Sequence, residues 1–370
     1  MKFSILKSKL FNNLQKALSA VPGKTTLPIL ANFLVEVEES RLKVSATDLD
    51  VSITTFVPIK SAKKVSLAVP ARAFVEIIRE APETEIEIGI LDNRLEMRID
   101  GGVYKISGSS VEDYPTLPST QLAKEIRLSS EIITRMAKKV GFAVSIDETR
   151  PALNGILWQT SGDMMSMVAT DGHRLAKFSV QNAKLKGLNK DIIIPPKALN
   201  LLVKLCEGCE ELGIIFSENN ISFNLGDVVL SSRLIEGPYP DYGQVIPKDN
   251  DKKLIVNRDL LSSLTRRVSV LSNTLTHQIK FSLKKDSLEL SAANAEVGGE
   301  AMETLVCSYK NEPMEIGYNA NYILDILKQI DSDEVMFELA TPVSAGMIHS
   351  AAKEKTEEYV CLVMPLRLTE

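Results

Sequence analysis

Aromatic side chains make up only 5% of the 370 residues, and the chain holds one tryptophan, three histidines and four cysteines. Each scarcity removes a class of function. With so few rings, and none interleaved with the basic residues, the platforms on which single-stranded bases stack are missing. The cysteines (Cys206, Cys209, Cys307 and Cys361) fit a reducing compartment, and "CEGC" at 206–209 has neither a second pair nor a histidine at finger spacing. Buried or incidental thiols are expected, with no metal and no cofactor. No apolar run approaches the roughly 20 residues of a membrane span, so no membrane association is expected. The opening "MKFSILKSKLFNNLQKAL" lacks a continuous apolar core and a small-residue cleavage site, which points to the cytoplasm. "PGKTT" at 22–26 ends like a phosphate-binding loop, but Leu18 stands where its first glycine belongs and a helical pattern precedes it where a strand is needed. Nucleotide hydrolysis is therefore not expected.

What the chain does have is internal repetition. "SATDLD" (45–50) recurs as "VATDGH" (168–173) and more faintly as "SAANAE" (291–296), which places Asp48, Asp171 and Asn294 at steps of 123 residues. "VPARAFVEII" (69–78), "IPPKALNLLV" (194–203) and "YNANYILDIL" (318–327) each set a strand end before an apolar-periodic helix, with Pro70, Pro195 and Asn319 equivalent. Another helical pattern comes earlier in each third, at 7–18, 129–140 and 257–268. "DYP", "PYP" and "VMP" align Pro115, Pro240 and Pro365 at steps of 125. The expected division is 1–121, 126–247 and 249–370, three copies of one domain.

Between the helices the apolar period changes to two, as in half-buried antiparallel strands. Ile86, Ile88 and Ile90 turn at Asp92-Asn93 into Leu95, Met97 and Ile99; Leu212, Ile214 and Phe216 turn at Asn219-Asn220 into Ile221, Phe223 and Leu225. Val335, Phe337 and Leu339 turn at Thr341-Pro342 into Val343, Ala345 and Met347. Each third therefore reads as two helices on antiparallel sheet, and the fold class is α+β.

Net charge is −5, yet the six helical windows 7–18, 71–80, 127–140, 196–205, 257–268 and 320–329 hold 15 Lys and Arg against 5 acidic residues, so they carry +10 and the remainder −15. One charged helix is usually a solvated face. Six sharing the basic excess fit a single surface turned to a polyanion, and with no stacking aromatics the contact is to backbone phosphates, not to bases.

"ATDGHRLA" (169–176) packs Asp171, Gly172, His173 and Arg174 into one turn, which invites a catalytic reading with His173 as base and Asp171 as its orienter. Neighbours on a tight turn rarely aim at one reacting atom, and neither a G-x-S-x-G elbow nor a second acid–base cluster appears. Asp171 is expected to brace the turn. A β-rich assembly protein that never touches nucleic acid is the other alternative.

Taken in order along the whole chain, "MKF", "TLPIL" (26–30), "VPAR" (69–72), "LNG" (153–155), "ATDGHRLA", "YPDY" (239–242) and "MPLRL" (364–368) resemble the bacterial DNA polymerase III β subunits, the sliding clamps. The resemblance implies a non-catalytic processivity factor: three clamp domains per chain, and a head-to-tail homodimer closing a six-domain ring around double-stranded DNA. The implied partners are the replicative polymerase alpha subunit, the clamp-loader delta subunit, and other DNA polymerases and repair or initiation proteins. Their short peptide tails would enter a pocket between domains 2 and 3 formed by Leu153, Thr170, Gly172, His173, Arg174, Leu175, Pro240, Val245, Asn319, Tyr322, Val343, Val363, Met364, Pro365, Leu366 and Arg367. Apolar walls for a leucine or phenylalanine, with a few orienting polar groups, suit that task. Tyr104 and Ile106 would meet Val270 and Leu271 of the second chain, with Arg94 facing Glu296, Glu300 and Glu303. Lys24, Arg72, Arg135, Lys138, Arg150 and Lys197 are the DNA-facing candidates. The chain departs from the family at Pro151-Ala152, where relatives carry an aromatic pair, at Gln244 and Thr276 on the pocket rim, and at Thr369-Glu370, which extend the usual end. These changes are expected to retune partner affinity.

Overall fold

Apolar residues spaced three and four apart wind six α-helices among the described residues of the computed structural model, which describes residues 2–60, 64–91, 93–118, 125–181, 189–294, 298–351 and 357–368. They are α1 (Lys7–Leu18), α2 (Ala71–Glu80), α3 (Ser130–Gly141), α4 (Pro196–Leu205), α5 (Arg258–Ser269) and α6 (Ala320–Leu327). The stripe each buries follows its spacing: Leu10, Leu14 and Ala17 in α1, Phe74, Val75 and Ile78 in α2, Leu261, Leu264 and Val268 in α5. Pro70 is the N-cap of α2 and Asn319 that of α6, where the Asn319 carboxamide accepts from Asn321 N at 2.9 Å; Pro195 immediately precedes α4. The three positions equated in the sequence thus do the same job, starting the second helix of each repeat.

The chain condenses into two compact units, 1–134 with 197–234 and 135–196 with 235–370. The first holds a four-stranded sheet ordered Lys2–Leu6, Glu85–Leu91, Arg94–Ile99, Gly102–Ser107. It also holds an eight-stranded sheet ordered Val65–Pro70, Asn32–Val37, Arg41–Thr47, Val51–Pro58, Val228–Arg233, Asn220–Asn224, Glu211–Phe216, Glu125–Ser129. Helix α1 packs on α2 and on the strands Arg41–Thr47 and Val51–Pro58, and buries Leu10, Leu14, Phe33, Ile53 and Phe74 almost completely. The second unit holds a nine-stranded sheet ordered Lys190–Ile194, Ile156–Ser161, Met164–Thr170, Arg174–Gln181, Glu357–Val363, Gly346–Ser350, Glu334–Leu339, Lys252–Asn257, Ser308–Tyr309. Its other sheet has four strands, ordered Gly299–Val306, Ser287–Asn294, Gln278–Lys284, Met314–Asn319, against which α5 and α6 pack.

Every strand pair is antiparallel, and the large sheets run across the repeat boundaries. Ile53 pairs with Leu230 in the first unit, and Ala176 with Cys361 in the second. Residues 235–248, between the middle and third repeats, form a strap over the nine-stranded sheet. Ile235, Tyr239, Tyr242 and Ile246 cover Leu157, Val168, Leu175, Ile193 and Leu362.

One turn is built twice. Asp48 Oδ1 accepts from Asp50 N and Val51 N at 3.1 and 2.8 Å, and Asp171 Oδ1 accepts from His173 N and Arg174 N at 2.9 and 2.9 Å. Thr47 Oγ1 donates to Val51 O, and Thr170 Oγ1 to Arg174 O, at 2.9 and 2.7 Å. The residue after the aspartate is left-handed in both, Leu49 at φ +84° and Gly172 at φ +90°. Asn294 lies within a strand, buried, and donates to Ser272 O.

Two expectations are corrected. Pro365 is not equivalent to Pro115 and Pro240. Isolated bridges join Ala68 to Ser109, Ile193 to Ile235 and Gly317 to Leu366, so the first two prolines follow the bridge while Pro365 precedes it. The third repeat leaves six residues between strands at 340–345 and at 351–356, where the middle repeat leaves three at 217–219 and at 225–227, and this cancels the constant step. The longer 340–345 connection also shifts the phase of the last hairpin. Phe337 pairs with Ile348, and both are fully buried, whereas Val343 is 68% exposed outside the strand, and Ala345 and Met347 are only partly buried. A one-residue slip exchanges the faces. Asp92, expected in a turn, lies outside the described residues.

This register sets a stability contrast. Ile348→Ala should cost about 2–5 kcal/mol, as a cavity in a closed core does, while Val343→Ala should stay within about 0.5 kcal/mol. Urea unfolding of the two variants checks it, and the reverse ranking would restore the phase read from the sequence.

Candidate functional site

The strands Met164–Thr170 and Arg174–Gln181 meet at the Asp171 turn, and the acid there is fully occupied. Oδ1 takes two backbone N–H groups, and Oδ2 accepts from Arg174 Nε at 3.1 Å. Asp171 therefore holds the backbone of His173, not its ring. The imidazole is exposed and stacks on Tyr322, with centroids 6.5 Å apart and planes at 21°. Gly172 suits the turn because its φ is left-handed, and a Cβ there would lie 3.1 Å from Nη1 of Arg150, the tip of a half-exposed side chain.

Arg174 is the electrostatic centre. Its side chain is 11% exposed, its Nη1 donates to Asp325 Oδ2 at 2.6 Å, and its guanidinium lies 4.5 Å from the Tyr322 ring centroid and 5.3 Å from that of Phe142. Two carboxylates and two ring faces compensate a charge that is nearly out of water. Antiparallel pairing sets Arg174 opposite Val363, and Met364 N donates to His173 O at 2.8 Å. The C-terminal segment is thereby fastened to the turn.

A cleft of about 180 Å³ opens beside it, inside the second unit. Leu153, Thr170, Gly172, His173, Arg174, Leu175, Pro240, Val245 and Met364 line it, nine of the sixteen positions expected from the sequence. The other seven do not line it. Asn319 caps α6, and Tyr322 backs His173 and Arg174. Val363 is fully buried; Pro365, Leu366 and Arg367 continue past Met364, with Leu366 N bonded to Gly317 O and Arg367 O accepting from Gln278. Val343 is exposed on its loop. Four lining residues were not anticipated: Asp241, Tyr242, Ala345 and Leu362. "YPDY" contained two of them; Leu362 faces opposite to its strand neighbour Val363, the residue expected at the pocket. Asp241 caps the short helix Tyr242–Val245 and accepts from Gln244 Nε2 at 2.9 Å; Tyr242 donates to Gln159 Oε1 at 2.6 Å. Burial, together with the carboxylates of Asp191, Asp241 and Glu358, pushes the Tyr242 phenol upward, so it stays a donor at neutral pH.

The basic candidates divide. Lys24, Arg72 and Lys138 are exposed. Arg135 is paired with Glu357 and lies over Phe178, and Lys197 is paired with Asp48. Arg150 donates to Asp147 at 2.9 Å and to Asp171 O at 3.3 Å, which sets it at the cleft's edge. Part of the basic excess in the helices is thus neutralised locally, as it is where Lys139 is buried on Asp331. In the first unit, Tyr104 and Ile106 lie on the end strand Gly102–Ser107, the former 44% exposed and the latter 9%. In the second unit, Val270 is 77% exposed and Leu271 half-buried beside Gly299. Glu303 is taken by Arg267 of its own chain at 2.7 Å, so it is not free for Arg94; Glu296, Thr369 and Glu370 lie outside the described residues. Of the CEGC thiols, Cys206 is buried and pushed up to about 12, which keeps it protonated.

Descriptions of the DNA polymerase III beta subunit match throughout: its N-terminal domain at 1–118, its central domain at 127–241 and its C-terminal domain at 243–367. The beta sliding clamp of Escherichia coli K12 is 33% identical over 371 residues, covering 100% of both chains, and that of Chlamydia muridarum is 31% identical, covering 100% of this chain and 99% of the relative. Among solved structures, a sliding clamp from Pseudomonas aeruginosa bound to griselimycin superposes with a TM-score of 0.93 at 30% identity, and one from Bacillus subtilis with 0.94 at 27%, each over 100% of both chains.

The division of labour within the turn is measurable. Asp171→Ala should destabilise the chain by about 1–3 kcal/mol, because it strips two backbone donors and Arg174 of their acceptor, whereas His173→Ala should stay within about 0.5 kcal/mol. Chemical denaturation distinguishes them; equal losses would show that His173 is structural too.

Proposed function

Because the chain belongs to the DNA polymerase III beta subunit family, the beta sliding clamps, we propose that two copies join head to tail into a ring of six repeats around duplex DNA and tether partner proteins to it. The observation that carries the tethering role is the cleft beside the Asp171 turn. Apolar walls from Leu153, Leu175, Pro240, Val245 and Met364 meet a few polar groups, a composition that suits a leucine or phenylalanine anchor on a short peptide. The replicative polymerase alpha subunit, the clamp-loader delta subunit, and other polymerases and repair or initiation proteins are the proposed partners. The chain itself does no chemistry and works in the cytoplasm; no helix among the described residues is long and apolar enough to cross a membrane.

Ring closure has a physical motive. The strands Gly102–Ser107 and Gly299–Val306 each end a four-stranded sheet, and Val103, Tyr104, Met302 and Val306 on them are 44–86% exposed. Unpaired edges with apolar side chains favour pairing between copies. Tyr104 and Ile106 of one copy would then meet Val270 and Leu271 of the other. Toward DNA, Lys24, Arg72 and Lys138 supply exposed cations, while Arg135, Arg150 and Lys197 share theirs with carboxylates. Weak, non-specific phosphate contact of this kind permits sliding.

A topological experiment tests the reading. Loaded by its clamp loader with ATP onto nicked circular DNA, the protein should stay bound through gel filtration in high salt and be released when the circle is linearised. Equal loss from both forms would contradict encirclement, and retention on linear DNA in high salt would show direct tight binding instead.

A further inference from the structure

We propose that the outer face of the nine-stranded sheet carries a second, polar subsite that takes the residues flanking a partner's apolar anchor, as an extended chain lying beside the strap; this rests on the cleft being a partner-peptide site. Strand register places Asp191, Gln159, Ser166, Ser179 and Glu358 opposite one another, so one polar row crosses five strands. The adjacent row on that face, Ile193, Leu157, Val168, Lys177 and Val360, is apolar except for Lys177, and the strap lies over its apolar part. Beyond the strap two serines keep the floor low. Their hydroxyls bond each other at 2.8 Å, and a groove of about 650 Å³ opens above them.

Groove and cleft are neighbours, because Tyr242 lines both. Its hydroxyl is fixed on Gln159 at 2.6 Å, which makes its ring a rigid divider at the point where a bound chain would pass from one to the other. The strap shows that a polypeptide fits across these strands. Groove chemistry defines what the second chain must be. Lys177 is matched by Glu358 at 3.1 Å, and the other two charged residues lining the groove, Lys190 and Asp191, are of opposite sign, with Asp191 accepting from the Gln159 amide at 3.1 Å; among the described residues the charges balance, so nothing favours a charged run of either sign, and the floor is the two serines. Hydroxyl and amide groups select a neutral polar segment of serine, threonine, asparagine and glutamine.

The test compares two fluorescein-labelled probes by anisotropy: a pentapeptide with adjacent leucine and phenylalanine, and the same peptide extended at either end by about six serine, threonine and asparagine residues. One extended form should bind about tenfold tighter, the modest gain left after an unstructured segment is ordered. Ser166→Tyr, which fills the floor, and Met164→Trp, at an exposed position of the groove, should each abolish that gain and leave the short peptide's affinity unchanged. An extension that adds nothing, or a gain that survives both variants, would overturn the subsite. Failure of the short peptide to bind the native protein would instead sink the cleft reading on which it rests.

Discussion

The antiparallel pairing of Arg174–Gln181 with Glu357–Val363 is the joint on which the candidate site depends. It turns the strands of two repeats into one sheet and fixes Val363 opposite Arg174. It brings Met364 N onto His173 O. From that position Arg174 reaches Asp325 on α6 while Asp171 holds it from the turn, so its charge ties the turn to a helix residue 151 positions away in sequence. Without the shared sheet, Met364 and Leu362 would not stand beside Leu153 and Leu175, and the cleft would lose a wall.

The first unit has the same joint. Val51–Pro58 pairs with Val228–Arg233, and Arg233 N donates to Asp50 O as Met364 N does to His173 O. The turn is hydrogen-bonded alike, but Leu49, Asp50 and Val51 replace Gly172, His173 and Arg174. Leu49 accepts a left-handed backbone that costs roughly 1 kcal/mol for a side chain with a Cβ. Asp48 takes Lys197 as its ionic partner, where Asp171 takes Arg174. The aspartate and threonine hold the backbone in both turns; the three residues after the aspartate are where the turns differ.

The sequence made the helices legible because their buried stripes recur with the helical period, and it made the Asp171 turn legible because a turn that must be capped uses the same side chains each time. Paired strands within a repeat were readable for a similar reason. Failures came where long-range geometry decides. Pro365 kept step with Pro240 by number while loops of different length moved it out of place, and the face of Ile348 depended on the six residues before its strand. The pairing of Arg135 with Glu357 and the contact of Arg150 with Asp171 O were not legible, because each joins residues that spacing in the sequence does not bring together. Tyr242 was within reach in a quoted motif, whereas Leu362 faces opposite to its strand neighbour Val363, the residue expected at the pocket.

Encirclement as proposed requires a second copy, whose Gly299–Val306 edge would meet the Gly102–Ser107 edge of the first. Sedimentation equilibrium at micromolar concentration therefore tests the account most directly. The account predicts a species of twice the 40.7 kDa chain mass that shifts toward the single chain when Tyr104 is replaced by glutamate. A native protein sedimenting as a 40.7 kDa monomer across the whole concentration range would contradict it.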